Sequence, residues 1–178
     1  TVHHLSRPLM DTPIARNSLC VGSLPARHAR YRPHHTAVIV SVRAPGEREV
    51  RLDWREFNAY VNRWAHALAA LSVVRGDRVA TVLPNRLELL ATYWACAKLG
   101  AAIVPLSPLL TATGLVSLLR DPAPRVVLAT SDDLAVLDEA RRALPPATAW
   151  VLVDASADDE AAGYRAFGPL HAAAPAGE

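Results

Sequence analysis

Four short runs are almost wholly apolar: RVATVL (78–83), AAIVP (101–105), RVVLAT (125–130) and AWVLV (149–153). None of them alternates polar with apolar residues. A strand of this kind has no face to give to water, so it belongs in a parallel sheet covered on both sides. Helix-patterned segments separate the runs, as crossover connections require, and crossovers between parallel strands are right-handed. The expected fold class is therefore α/β, a parallel sheet with flanking helices.

The intervening segments carry their own signals. TAVIVSV (36–42) and REVRL (48–52) read as an N-terminal β-hairpin turning at Pro45 and Gly46. Asp53 stands as an N-cap with Glu56 three residues on, a capping box. Phe57, Tyr60, Val61, Trp64, Leu68 and Leu71 then recur at helical spacing. RGD (75–77) reads as a turn. Asn85 is expected to cap a second helix over 86–99, again with Glu88 three residues on, and Gly100 to end it. Further helices are expected over 112–120 and over 132–144, the latter with Leu134, Leu137, Ala140 and Leu144 on one face. Residues 1–36 form an irregular lead-in, in which LPARHARYRP is a short helix stopped by Pro33. Residues 37–153 form the α/β subdomain. Residues 154–178 read as an Ala-rich linker or poorly ordered end.

The helix over 86–99 is unusual. Leu87, Leu90 and Trp94 face one way, while Leu89, Tyr93 and Cys96 spread over other faces. A helix apolar all round is buried on both sides. Its second side needs either another part of the same polypeptide or another subunit, such as a second copy in a homodimer.

Composition excludes several partners. The net charge is +2, which gives nucleic acid no electrostatic footprint. The most apolar stretch, 87–109, is interrupted by Glu88, Lys98 and Pro105, so no membrane span is expected. The start, TVHHLSRPLMDTP, lacks the pattern of a signal peptide. Cys20 and Cys96 match no metal or redox spacing and read as free thiols in a cytoplasmic protein.

Motifs that carry chemistry are missing from the 178 residues. There is no G-x-G-x-x-G, no P-loop and no G-x-S-x-G elbow. The pairs His3–His4 and His34–His35 have no Cys or carboxylate at ligand spacing, so no metal site is expected. His66 lies off the apolar stripe and is expected to be exposed. Lys98 sits in a last helical turn, where a cation complements the dipole. Asp132 and Asp133 open a helix for the same reason. Asp158, Asp159 and Glu160 read as a solvated run. Trp54, Trp64, Trp94 and Trp150 read as core. Catalytic, cofactor-binding and metal residues are all expected to be none.

One longer pattern is informative. LDWREF, NRWAHAL, GDRVA, LPNRLE, KLGAAIVPLSP and LLRD follow one another in order between residues 52 and 121. Together they resemble the N-terminal part of the adenylate-forming (AMP-binding) superfamily, and the likeness spans residues 23 to about 155. Three positions depart from the family pattern. Asp53–Trp54 replaces a Thr-Tyr or Ser-Tyr pair. Ser107 stands where Asn or Asp is common but can make the same local turn bond. Gly114 stands where Glu is frequent and weakens a helix start.

The resemblance implies the N-terminal scaffold of an acyl-CoA synthetase. Such an enzyme activates a fatty or aryl carboxylic acid as an acyl-adenylate, releases pyrophosphate and passes the acyl group to CoA. It uses ATP, Mg2+ and CoA. In the family the phosphate loop and a mobile C-terminal domain with its lysine lie further along the polypeptide, so this fragment alone is expected to be inactive and to bind none of these cofactors. An adenylation domain loading a carrier protein is the nearest alternative. A stand-alone, non-catalytic binding module is a third reading.

Overall fold

The structure is a computed structural model and describes residues 20–41, 49–155, 159–160 and 162–178. A 3-10 turn (Val21–Ser23) leads into α1 (Leu24–Tyr31). β1 (Thr36–Val40) and β2 (Val50–Asp53) pair antiparallel, with Thr36 opposite Asp53 and Val40 opposite Val50. The expected hairpin is present; its Pro45–Gly46 turn lies outside the described residues. α2 (Trp54–Ala70), β3 (Arg78–Val82), α3 (Leu87–Leu99), β4 (Ala102–Leu106) and α4 (Ala112–Arg120) follow. They are succeeded by β5 (Val126–Ala129), α5 (Leu134–Ala143), β6 (Ala149–Leu152), β7 (Arg165–Ala166) and α6 (Phe167–Ala173).

The main sheet has the order β4-β3-β5-β6-β7, and every pairing is parallel. Side chains alternate faces along each strand. Val79, Val126, Leu128 and Val151 point to α2 and α3, into a core with Trp64, Leu68, Ala91 and Ala95. Ala80, Val127, Ala129 and Leu152 point the other way, to Leu115 and Leu119 of α4 and Leu137 and Ala140 of α5. Helices therefore cover both faces, as the unbroken apolar runs required.

Local chemistry sets the helix ends. The Glu56 N–H donates to Asp53 Oδ1 at 2.8 Å, and the Asp53 N–H donates to Glu56 Oε2 at 2.9 Å. That backbone donation, more than the nearby His34, holds the Asp53 carboxyl below the usual carboxylate range. α3 ends at Gly100, which takes a left-handed conformation with φ of 70°. Its start differs from expectation. The N-cap is Arg86, not Asn85, and no side chain caps it. The Arg86 guanidinium instead clamps the Glu88 carboxylate with bonds of 2.8 and 2.9 Å, so Glu88 does not reach back to the backbone before the helix. Thr111 caps α4 by accepting from the Gly114 N–H at 3.3 Å.

The stretch 154–178 does more than link. β7 extends the sheet beside β6, and α6 packs on α2. Phe167 is buried, with its ring 4.0 Å from that of Trp64, and His171 lies 4.9 Å from the Tyr60 ring. Asp159, expected in a solvated run, is buried, and its carbonyl accepts from the Tyr164 N–H.

Two predictions test this packing. Gly22 lies against the backbone of α3, where a Cβ would collide with the Ala97 carbonyl. Gly22→Ala is expected to lower the free energy of unfolding in urea by about 1–3 kcal/mol, the usual cost of overpacking. An unchanged midpoint would mean that the turn is not docked on α3. Burial, helped by the Arg63 charge, lowers the His171 pKa, and among the described residues its Nε2 has no hydrogen-bond partner. The unfolded chain takes up that proton near 6.5 and the folded chain only at lower pH. Stability should therefore fall between about pH 7.5 and about pH 5.5. The fall should be smaller in His171→Leu, read from urea midpoints at both pH values.

Candidate functional site

Ligands of parallel α/β sheets gather where the strands end at their carboxyl side. Here that edge is made by the turns after β3, β4, β5 and β6. It carries a small polar cluster. The Ser131 N–H donates to Asp154 Oδ1 at 2.9 Å, and the Thr130 hydroxyl donates to Asp132 Oδ2 at 2.9 Å. Arg86 bridges to Glu88 and stands 4.0 Å from Asp154. The bond to Glu88 raises the Arg86 pKa further, so the guanidinium stays charged. Sequence reading missed Arg86 and Asp154, because their pairing spans 68 residues and follows only from the sheet order.

Behind this edge, Val82, Pro108, Leu110, Ala129, Thr130, Asp132, Val136 and Leu137 line a cavity of about 40 Å³. Ser107 helps to close the β4 turn, its hydroxyl accepting from the Leu109 N–H at 3.2 Å. A volume of this order suits a water molecule, not a nucleotide.

A larger concavity runs along α3. One part, about 430 Å³, lies between Val38–Ser41 of the hairpin strand and Leu87, Leu89, Leu90 and Tyr93. The next, about 480 Å³, is lined by Val21, Leu90, Tyr93, Trp94, Cys96, Ala97, Ala101 and Ile103. Leu90 and Tyr93 belong to both, so they form one groove with a mostly apolar floor. Tyr93 is 43% exposed and Val21 65% exposed, while Ala91, Thr92, Ala95 and Cys96 on the same helix are buried. The helix is thus buried on one side and half-buried along the groove, where Tyr93 is its exposed aromatic residue and Val21 of the 3-10 turn stands beside it. Among the described residues, the groove has no nucleophile with a base beside it. Its Cys96 is fully packed, and burial pushes the thiol pKa up to about 12.

The other single residues find structural partners. His34 pairs with Asp53 at 3.4 Å. Trp64 and Trp150 are core; Trp54 is half-buried and stacks on His28 at 4.4 Å, and half-buried Trp94 lines the groove. His66 is half-buried instead of exposed, with Nε2 3.1 Å from the Gly177 carbonyl oxygen. Lys98 lies in the last turn of α3 as expected, and its Nζ also donates to both oxygens of Glu178, at 2.9 and 2.8 Å. His3 and His4 lie outside the described residues.

A profile of the AMP-binding enzyme family matches residues 25–175. The chain belongs to this family. Among curated AMP-binding relatives, it is 36% identical over 113 residues to the long-chain-fatty-acid–CoA ligase FadD13 of Mycobacterium tuberculosis, covering 62% of this chain and 22% of the relative. It is 38% identical over 112 residues to a feruloyl-CoA synthase of Amycolatopsis, covering 63% of this chain and 21% of the relative. The crystallised N-terminal domain of FACL13 from Mycobacterium tuberculosis superposes with a TM-score of 0.72 over 90% of this chain and 38% of that one, at 30% identity. The chain therefore spans about a fifth of the length of the curated relatives it matches.

The AMP-binding fold calls for ATP and Mg2+, and the strand-end site does not fit them. Its cavity is far too small for a nucleotide, and Arg86 is already committed to Glu88. Among the described residues, no group of three or more His, Cys, Asp or Glu is placed to hold a metal ion. No helix there is long and apolar enough to cross a membrane.

The two thiols give a test of how closed the core beneath the groove is. Cys20 is exposed and Cys96 buried. A thiol-specific reagent should label only Cys20 in the native chain and both cysteines in urea, read by peptide mass spectrometry. Native labelling of Cys96 would show that the groove opens into the core.

Proposed function

We propose that this chain is the N-terminal scaffold of an ATP-dependent acyl-CoA synthetase. The complete polypeptide would activate a fatty or aryl carboxylic acid as its acyl-adenylate and transfer the acyl group to CoA. It would use ATP, Mg2+ and CoA, and the chain alone would be inactive. The observation that carries this reading is the likeness, in sequence and in fold together, to the N-terminal domain of FACL13. The naming of FadD13 and the feruloyl-CoA synthase as CoA ligases supports the same reaction class.

The groove along α3 supports the need for more polypeptide. Leu90, Tyr93 and Trp94 leave an apolar surface that a complete small domain would cover. β4 adds to it, since among the described residues it pairs with β3 alone. The remainder of the same polypeptide, carrying the phosphate loop and the mobile C-terminal domain, is the partner we assign to that surface.

Pyrophosphate exchange into ATP tests the reading. The 178-residue chain should give none with any of a panel of fatty and aryl acids. A longer polypeptide that contains it should give acid-dependent exchange, followed by acyl-CoA formation when CoA is added. Exchange by the chain alone would overturn the scaffold assignment, and no exchange by the longer polypeptide across the panel would overturn the ligase assignment.

A further inference from the structure

Residues 174–178 cross the seam between α2 and α3, and four side chains there hold them. The Asn62 amide donates to the Ala176 carbonyl at 2.8 Å and to Glu178 Oε1 at 3.3 Å. The Asn58 amide donates to the same Oε1 at 2.9 Å. His66 Nε2 lies 3.1 Å from the Gly177 carbonyl oxygen. Lys98 Nζ completes the set with bonds to both Glu178 carboxylate oxygens.

The spacing of these groups follows from helix geometry. Asn58, Asn62 and His66 recur every four residues and so line one face of α2. Lys98 reaches the same place from the end of α3. Asn62 is 3% exposed, and the Lys98 side chain is 10% exposed. Amides and ammonium groups so deeply placed require partners. Glu178 and the two carbonyls supply them, while the Glu178 side chain itself remains 59% exposed. Burial acts to raise the Glu178 pKa, but the bonds from Lys98 and Asn58 outweigh it and hold the carboxyl below its usual range.

We propose that Asn58, Asn62, His66 and Lys98 form a latch that fixes the 174–178 segment across the α2–α3 seam, with Lys98 as the positioning residue that reads the Glu178 carboxylate. On the synthetase reading above, the latch sets the direction in which the polypeptide travels from this scaffold toward its phosphate loop. Lys98 then acts on catalysis through the placement of that loop, without touching substrate.

Lys98 is the sole lysine of the chain, so its reactivity can be followed without interference from other lysines. The chain is treated with an acetylating reagent, and acetyl-Lys98 is quantified by peptide mass spectrometry. Native Lys98 should react far more slowly than in urea. Glu178→Ala, Glu178→Gln and Asn62→Ala should each raise the native rate, the first by about tenfold, as for loss of one charge-assisted bond. A native rate unchanged in Glu178→Ala, with the fold intact by circular dichroism, would overturn the latch. Asn62→Ala has the larger risk of misfolding, and the exposed Glu178 variants keep the test decisive.

The second arm uses the longer polypeptide. Lys98→Met and Glu178→Ala should raise KM for ATP more than KM for the acid. The swap Lys98→Glu with Glu178→Lys should recover part of the loss, which a merely structural role would not predict. No effect on KM for ATP would overturn the positioning role. If the longer polypeptide shows no ligase activity at all while Lys98 still depends on Glu178 in the labelling, the synthetase reading fails and the latch stands.

Discussion

Val126, Val127, Leu128 and Ala129 expose at most 2% of their surface, so the central strand of the sheet meets water on neither face. That double burial dictates the layers around it. Two helices must sit on each side, and each must offer an apolar stripe at the height of the strand. α2 and α3 do this on one face, α4 and α5 on the other. The small glycine count matters less than where the glycines stand. Gly22 lets a turn lie flat on α3, and Gly100 lets the chain reverse into β4 at once.

Features decided within a few residues were legible in the sequence. The Asp53–Glu56 box is one, since donor and acceptor lie three residues apart, and His34 pairs with the other Asp53 oxygen, Oδ2, leaving Oδ1 to the Glu56 N–H. The apparently identical Asn85–Glu88 pair failed because Arg86, between them, takes the Glu88 carboxylate. Charge attraction there outweighs the backbone bond that a capping box would make. β7 and α6 were illegible for a different reason. A two-residue strand carries no period, and Phe167 earns its burial from Trp64, more than a hundred residues earlier in the chain.

The site followed the same division. The sequence contains neither a G-x-G-x-x-G nor a G-x-x-x-x-G-K-[ST] pattern. The groove could be anticipated from the all-round apolar pattern of α3, although not its extension to Val21 and to the hairpin strand. The contacts of Glu178 span 80, 116 and 120 residues, and no local pattern announces them. Lys98 looked like a helix-dipole partner because that role needs only sequence position. Its carboxylate partner comes from the far end of the chain.

β4 lies at the rim of the sheet, paired with β3 through Ala102–Leu106 and with Pro105 opposite Thr81. Rim strands with open backbone groups invite copies of the same chain to stack edge to edge and grow into aggregates. Proline has no N–H to give, which is why it is tolerated at a rim and excluded from the middle of a sheet. Pro105 therefore interrupts any ladder that a stray strand could build on β4. A rim interrupted in this way limits edge-to-edge stacking of copies of the chain while leaving the side-chain faces of the sheet free to pack.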